Sequence, residues 1–205
     1  MVLFSSIPQL NDLTHELSLF EENMTLFANS LGIDLSIYHT DHVSLRCHDL
    51  ALAEQWRTGL SQCGKCISDN VINGRPIYLF QLEIPLTILN QSVSIVELPF
   101  PTNKKYEYQG WEHIEQVISV EPAFLVDKVM SFLPETLPES VSLKISEPKG
   151  EKERVPNPTV AISNGKVTVK YHPYSLLEIV ESECCSTLSE NSLLVSAQNS
   201  DGRIE

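Results

Sequence analysis

The sequence predicts an α+β fold in which a βαβββ module, a strand and a helix followed by three strands, occurs twice. The same order of patterns appears in two stretches of similar length, and each copy begins with a strand that carries a histidine. A helical pattern precedes both copies. We therefore predict an N-terminal helical segment over 1–35, a first module over 36–102, a second module over 103–183 and a disordered tail over 184–205.

The N-terminal segment has the apolar spacing of an amphipathic helix. Leucine, phenylalanine and methionine recur every three or four residues over 7–31, and Gly32 follows as a stop signal. The pattern predicts a packing element. It leaves open whether one helix occupies the range or two helices with a break near Asn23.

The first module is predicted from an alternating strand, a helix cap and a hairpin signal. Residues 42–47 alternate polar and apolar side chains, and Asp49 then caps a helix that ends at Gly64. The pair Asn73-Gly74 is typical of a tight hairpin turn. Further strands are predicted around Ile67, over 75–82 and over 93–98.

The second module follows a linker rich in turn-forming and charged residues, 100–105. A strand over 111–120, a helix opened by Glu121-Pro122 and three more strands over 141–146, 159–162 and 166–171 repeat the order. The next segment is ambiguous. Ser175 and Glu178 have the spacing of a capping box, which favours a terminal helix, but the same residues also alternate as a strand carrying Glu178 would.

Charge and hydropathy exclude several classes of partner. The 205 residues carry a net charge of −13 and no basic patch, so we expect no nucleic-acid partner. No apolar run approaches the ~20 residues that span a bilayer, so we expect no membrane partner. The start of the chain lacks the basic region of a secretory signal. We expect a cytoplasmic protein, monomeric or homodimeric.

Histidines and a carboxylate on the predicted strands form a candidate metal site. His42 and His113 lie near the start of corresponding strands, on faces that carry other polar side chains. Glu97 interrupts an otherwise apolar strand, where an unpaired carboxylate is costly to bury. His172 is a further candidate ligand, although its pattern also fits a surface residue. Imidazole with carboxylate suits a divalent transition metal such as Zn, Ni, Fe, Mn or Co, whose identity the residues leave open.

Three other charged residues are candidates for binding and chemistry. Arg46 and Arg75 match the fork of a carboxylate or phosphate, so they are candidate ligands for a small anionic molecule. The equal alternative is that one of them pairs with Glu97 or Glu115 and holds the site together. Glu115 lies two residues after His113 on the same face and is the candidate catalytic base, or a group that orients a ligand.

At these residues the chain resembles the YecM-like family of the vicinal oxygen chelate superfamily, which includes glyoxalases, bleomycin-resistance proteins and dioxygenases. The resembling segments are 41–48, 73–77, 94–99, 110–115, 148–151, 157–159 and 172–173. The resemblance implies two paired βαβββ modules that form a curved mixed sheet around a metal cup. It also implies metal ligands on the first and last strands of each module, which carries over to His42, Glu97 and His113.

The resemblance leaves the fourth ligand and the reaction open. The fourth place falls to His172, to Tyr171 if the prolines after the strands are matched, or to Glu178 if that segment is a strand. The leading hypothesis is a divalent-metal-binding protein that acts as an isomerase, lyase or oxygenase and chelates two neighbouring oxygens of a small anionic substrate. One alternative is a non-catalytic protein that binds or sequesters a small molecule in the same cup; another is a structural module whose polar face meets solvent.

Overall fold

The secondary structure comes from a computed structural model that describes residues 1–72, 74–104, 106–147 and 155–182. Its helices are α1 (Asn11–Ser30), α2 (Leu50–Cys63), α3 (Leu125–Met130) and α4 (176–182). Its strands are β1 (His39–Arg46), β2 (Gly64–Ile72), β3 (Arg75–Ile88), β4 (Gln91–Pro99), β5 (Gly110–Val117), β6 (Ser142–Ser146), β7 (Thr159–Ser163) and β8 (Thr168–His172). The predicted tail, 184–205, lies outside the described residues.

The strands form one mixed sheet whose order shows the duplication. The order is β2-β3-β4-β1-β5-β8-β7-β6. In each module the first and last strands are parallel, β1 with β4 and β5 with β8, and the remaining neighbours are antiparallel. β1 and β5 pair antiparallel at the centre and join the two halves. The predicted α+β fold of two paired βαβββ modules with an N-terminal helix is confirmed.

α1, α2 and α3 cover one face of the sheet and leave the other face to the site. α1 contacts β5, α2 contacts β3, and α3 contacts β7. The apolar residues of the central strands, such as Val43 and Ile114, are buried in the same core as the inner face of α1. Because side chains alternate along a strand, the neighbouring polar residues face the opposite side. That side carries the candidate site.

α1 is one continuous helix, which answers the question that its sequence leaves open. Asn23 donates a side-chain hydrogen bond to the carbonyl of Leu19 inside the helix, and the chain continues to Ser30 without a break. Gly32 then adopts a φ of 68°, a left-handed conformation that ends the helical run with little strain.

Two elements, β3 and α3, differ clearly from those predicted. β3 extends to Ile88 rather than 82, because Leu89 and Asn90 both take positive φ and make a two-residue hairpin turn to β4. α3 is short and is preceded by a 3₁₀ turn, Pro122–Phe124. The segment after β8 is helical, as its capping box predicts. No helix of the described residues is long and apolar enough to cross a membrane.

Candidate metal centre

Two β-bulges on the central strand pair shape the site. In the antiparallel pairing of β1 with β5, Thr40 pairs with Gln116 and His42 with Glu115, so Asp41 is an extra residue on β1. Ser44 pairs with His113 and Leu45 with Trp111, so Glu112 is an extra residue on β5. A bulge interrupts the alternation of side chains and redirects the extra residue.

Each extra carboxylate holds the imidazole of the histidine that follows it. Asp41 Oδ2 lies 3.0 Å from His42 Nδ1. Glu112 Oε2 is hydrogen-bonded to His113 Nδ1 in the same way. A carboxylate on Nδ1 fixes that nitrogen as an N–H and directs Nε2 away from it. Both histidines therefore have the orientation that metal-ligating histidines take in proteins.

The Nε2 atoms of both histidines point toward Glu115. His113 Nε2 lies 3.0 Å and His42 Nε2 lies 3.6 Å from Oε1 of this carboxylate, and the two rings are 6.3 Å apart. The ligand atoms of His42, His113 and Glu115 all lie within 4.8 Å of one another. Both histidines are buried, with side-chain exposures of 1% and 3%. These three residues are the tightest arrangement of the predicted site residues.

Glu97 lies beside this trio, on β4. Its Oε1 is 3.9 Å from His113 Nε2 and accepts a hydrogen bond from the Ser44 hydroxyl at 2.6 Å. The parallel register sets Ser44 directly opposite Glu97. The structure thus brings Glu97 to the site, although it is further from the imidazoles than Glu115.

His172 is buried at the end of β8 and belongs to a second, overlapping group. Its ring lies 5.8 Å from that of His42, and its Nε2 is 4.0 Å from Asp41 Oδ2. Asp41, His42 and His172 also place ligand atoms within 4.8 Å of one another. The Nε2 atoms of His42 and His172 have no hydrogen-bond partner among the described residues. An unpaired buried nitrogen is costly, and a bound cation would satisfy it.

Lys170, and not a histidine or tyrosine, corresponds to Glu97 in the second module. Ser44 and Glu115 follow the two module histidines by two residues, and they pair across the parallel strands with Glu97 and Lys170 respectively. Lys170 Nζ donates to Glu115 Oε1 at 2.7 Å. Glu178, the other residue considered for this place, caps α4 instead: its Oε2 accepts hydrogen bonds from the backbone N–H and the hydroxyl of Ser175.

The cluster has more negative than permanent positive charge. Its four carboxylates are Asp41, Glu97, Glu112 and Glu115. Among the residues that the structure describes, the permanent cations in contact with them are Lys170 on Glu115 and Arg46 on Glu112. Two positive charges are therefore missing while the histidines are neutral. A divalent cation supplies that charge, so the donor set fits such an ion in both charge and ligand type.

The same imbalance appears in the pKa values of the histidines. Burial lowers the pKa of His42, but the carboxylates of Glu115, Asp41 and Glu97 outweigh burial and raise it to about 10. Burial and the Lys170 charge lower the pKa of His113, and Glu112 and Glu115 raise it to a net value above normal. Both imidazoles are driven to take up a proton where a metal ion would otherwise supply the charge.

The predicted arginines have different surroundings. Arg46 pairs with Glu112 and stacks over the Tyr106 ring, 4.2 Å from its centroid. This contact is the structural role that the sequence left as an alternative, with Glu112 as the partner in place of Glu97 or Glu115. Arg75 lines the cavity above the site, and no carboxylate pairs with it among the residues that the structure describes.

A cavity of about 330 Å³ opens onto the cluster; we call it the cup. Its floor includes His42, Glu97, Glu115, Lys170 and His172. The walls come from both modules and from α4: Ser68, Asn70, Ile72, Arg75, Ile77, Leu79, Lys144, Ser146, Glu147, Asn157, Thr159, Ala161, Leu176, Ile179 and Val180. The volume lies at the small end of the range for small-molecule sites.

Comparison with known proteins places the chain in a family. The model of the family described as YecM protein matches residues 9–183. The chain belongs to the YecM family. The two bulges, the buried histidines and the cup all fall inside the matched range.

YecM relatives cover nearly the whole chain. Protein YecM of Escherichia coli (strain K12) is 45% identical over 186 residues, which span 89% of this chain and 98% of that protein. An uncharacterized protein of Haemophilus influenzae is 42% identical over 177 residues, 82% of this chain and 91% of its own length. The solved structure "Structural Genomics, Protein EC4020" aligns with a TM-score of 0.83 at 42% identity, covering 89% of this chain and 97% of its own. A methylmalonyl-CoA epimerase from Mycobacterium tuberculosis reaches only a TM-score of 0.41 at 13% identity, which is too weak to support a conclusion.

Sequence reasoning missed two kinds of residue in this YecM chain. Asp41 and Glu112 were not predicted as site residues, because strict alternation along a strand assigns each to the face opposite its neighbouring histidine. The available signal was the acidic residue that precedes the histidine in both modules. Lys170 was not predicted either, because its correspondence with Glu97 depends on the registers of the β1–β4 and β5–β8 pairs, which the sequence does not give.

Proposed function

We propose that the chain binds one divalent transition ion in the cup and uses it to hold a small anionic molecule. His42, His113 and Glu115 supply the ligands, with Glu97 as the adjacent carboxylate and His172 as a further candidate. The observation that carries the proposal is the convergence of two imidazole Nε2 atoms on Glu115, each oriented by the carboxylate of the preceding residue. Zn, Ni, Fe, Mn and Co all suit this ligand set.

The charges of the cup support an anionic molecule as the substrate. Arg75, Lys144 and Lys170 balance Glu97, Glu115 and Glu147 along its lining, so a divalent ion makes the lining net positive. The chain as a whole has a charge of −13, which opposes a nucleic-acid ligand. Arg75, without a carboxylate partner among the described residues, is the guanidinium that we assign to the anion.

A metal ion in this position would act as a Lewis acid toward an oxygen of the bound molecule. The protein's own part is to orient and to handle protons. Glu115 is hydrogen-bonded to His113 and Lys170, so we assign it to the metal rather than to proton transfer. Glu97, bonded to the Ser44 hydroxyl and exposed to the cup, is the carboxylate better placed to accept a proton. An isomerase, a lyase and an oxygenase all fit these roles.

The alternative, binding without catalysis, draws less support from the structure than from the sequence. It predicts an aromatic-lined groove, for which Tyr78, Trp111 and Tyr171 are the candidates. Trp111 is buried on the helical side and donates to the Leu13 carbonyl, and Tyr171 packs against Tyr38 and is buried there. None of the three is among the residues that line the cup.

Elemental analysis of protein purified without a chelator or an affinity tag tests the proposal. We expect about one transition ion per chain, and its loss in His42→Ala and in His113→Ala. His15→Ala, which changes an exposed histidine on α1, is the matched control and should keep the metal. Full occupancy in both site variants would show that these histidines are not the ligands.

A further inference from the structure

We propose that the second module carries a site for the oxyanion head of the bound molecule, above Ala161 and between Lys144 and Lys170. The molecule's apolar chain then lies against β3 of the first module. The inference deepens the proposed function: it relies on that function for the location of the ligand, and it names the ligand as a small oxyanion with an apolar chain.

Lys170, Ala161 and Lys144 are neighbours across three strands. Lys170 pairs with Ala161 in β8 and β7, and Ala161 pairs with Lys144 in β7 and β6. All three line the cup. Adjacent strands lie about 4.8 Å apart, so the two lysine Cα atoms are separated by roughly 10 Å, with only a methyl group between the side chains. The space over Ala161 suits an anion between two ammonium groups.

The corresponding row of the first module has the opposite character. Glu97 pairs with Leu79, and Leu79 with Ser68, in the same order of strands. In this row the central side chain is large and apolar, and neither of its paired neighbours is a cation; Arg75 lies further along β3 in the same wall. The two rows have therefore diverged: one has two cations with a gap between them, and the other is filled by an apolar side chain.

Lys170 retains hydrogen-bond donors for a ligand. One donor is used by Glu115, at 2.7 Å, and the side chain is 25% exposed. An ammonium group has three donors, so two remain available toward the cup. Lys144 is exposed on β6 and has no carboxylate partner among the residues that the structure describes.

The apolar wall indicates what the rest of the ligand looks like. Ile77 and Leu79 of β3 face the cup together with Ile179 and Val180 of α4. A volume of about 330 Å³ accommodates a chain of several carbons beside the oxyanion head. His42 and His172, whose Nε2 atoms are buried and unpaired among the described residues, line the same cup.

The test is calorimetric titration of the full chain with hexanoate and with hexyl phosphate, before and after zinc is added. The two probes share a chain and differ in the head, so they distinguish a carboxylate from a phosphate site. 1-Hexanol is the neutral control. We expect at least one oxyanion to bind tenfold or more tightly than hexanol; equal binding of all three would overturn the inference.

Variants locate the site. Ala161→Leu introduces the residue that fills the corresponding gap in the first module, and it should weaken oxyanion binding at least tenfold while the metal content and melting temperature hold. Ala51→Leu, at an exposed position on α2, should change neither. Lys144→Met should weaken the oxyanion several-fold, whereas Lys128→Met, which removes an exposed lysine outside the cup, should not.

The outcomes separate this inference from the proposed function. Wild-type oxyanion affinity in both Ala161→Leu and Lys144→Met would overturn the inference, whatever the metal content. Wild-type protein that binds the oxyanion through this row but binds no metal would contradict the proposed function and leave the oxyanion site intact.

Discussion

Asp41 and Glu112 occupy the same position in the two modules: each is the extra residue of a bulge, and each holds Nδ1 of the next residue, a buried histidine. The pairing of β1 with β5 brings the two histidines together, with rings 6.3 Å apart. The arrangement orients both Nε2 atoms before any ion is bound, and preorganised ligands bind a metal more tightly than mobile ones.

Asp41→Asn and Glu112→Gln are therefore expected to weaken metal binding without abolishing it. Loss of the carboxylate partner of a ligating histidine typically reduces affinity about 10–100-fold. Competition titration with a metal-binding dye measures the change. Glu54→Gln, which removes a surface partner of Arg57, is the control and should leave the affinity unchanged. Unaltered affinity in both site variants would show that the carboxylates do not orient metal ligands.

The metal-free protein should lose stability as pH rises above neutrality. The pKa of His42 is raised to about 10, and that of His113 is raised as well, against about 6.5 in the unfolded chain. Their contribution to stability is complete below pH 6.5 and is lost as pH rises toward the folded values. His42 contributes a slope of roughly 1.4 kcal/mol per pH unit in this window, and His113 changes the stability in the same direction.

Urea unfolding in EDTA at pH 7.0, 7.5, 8.0 and 8.5 measures that slope. His42→Gln should remove the part of the pH dependence that His42 contributes, whereas His15→Gln should leave the pH dependence unchanged. The acidic groups with lowered pKa, among them Glu112 at about 2, act far below this window. A free energy of unfolding that is flat from pH 7.0 to 8.5 would contradict the protonation of both histidines in the folded protein.

The raised pKa values also change the pH at which protons compete with the metal. For ligands with the normal histidine pKa, we expect the affinity for the metal to fall below about pH 6. Because the pKa of His42 is raised to about 10, the metal must displace a proton from this histidine even at neutral pH. The affinity for the metal should therefore rise about tenfold per pH unit from pH 7 to 9. Dye competition over that range measures it, and an affinity that is level above pH 7 would contradict the surroundings found for His42.

The fold and part of the site follow from local patterns in the sequence. Alternation identifies the strands, and the repeated order of elements identifies the modules. His42 and Glu97 line the cup, and His113 contacts Glu115 there, because their polar neighbours share a face. Asp41 and Glu112 could not be found in this way, because a bulge arises from cross-strand pairing and local alternation contains no information about it. The equivalence of Lys170 with Glu97 likewise depends on the parallel register.

Arg46 and Arg75 should respond differently to replacement by methionine. Arg46→Met removes the pair with Glu112 and the stacking on Tyr106, so we expect a loss of about 1–3 kcal/mol in stability. Arg75→Met should retain the melting temperature and lose several-fold in affinity for small carboxylates. Thermal unfolding and calorimetry measure the two effects, and Arg57→Met, on α2, is the control. If Arg75→Met keeps both its stability and its affinity for carboxylates, Arg75 does not bind the anion.

Glu178→Ala should leave the metal content unchanged. Its carboxylate accepts hydrogen bonds from Ser175 at the start of α4, so it acts as a helix cap. We expect a stability loss of about 0.5–1 kcal/mol from the lost cap and full metal occupancy by elemental analysis. Loss of the ion in this variant would reinstate Glu178 as the fourth ligand.

The β1–β5 pairing has a consequence for how copies of the chain can associate. Each module contributes one histidine, and residues 100–109 are the only covalent link between β4 and β5. If that link were shortened, the second module could not fold back, and the vacant edge of β1 would accept β5 from another copy. Such exchange between protomers rebuilds every contact across the pairing. The exchanged dimer would then contain two complete centres, each assembled from two chains.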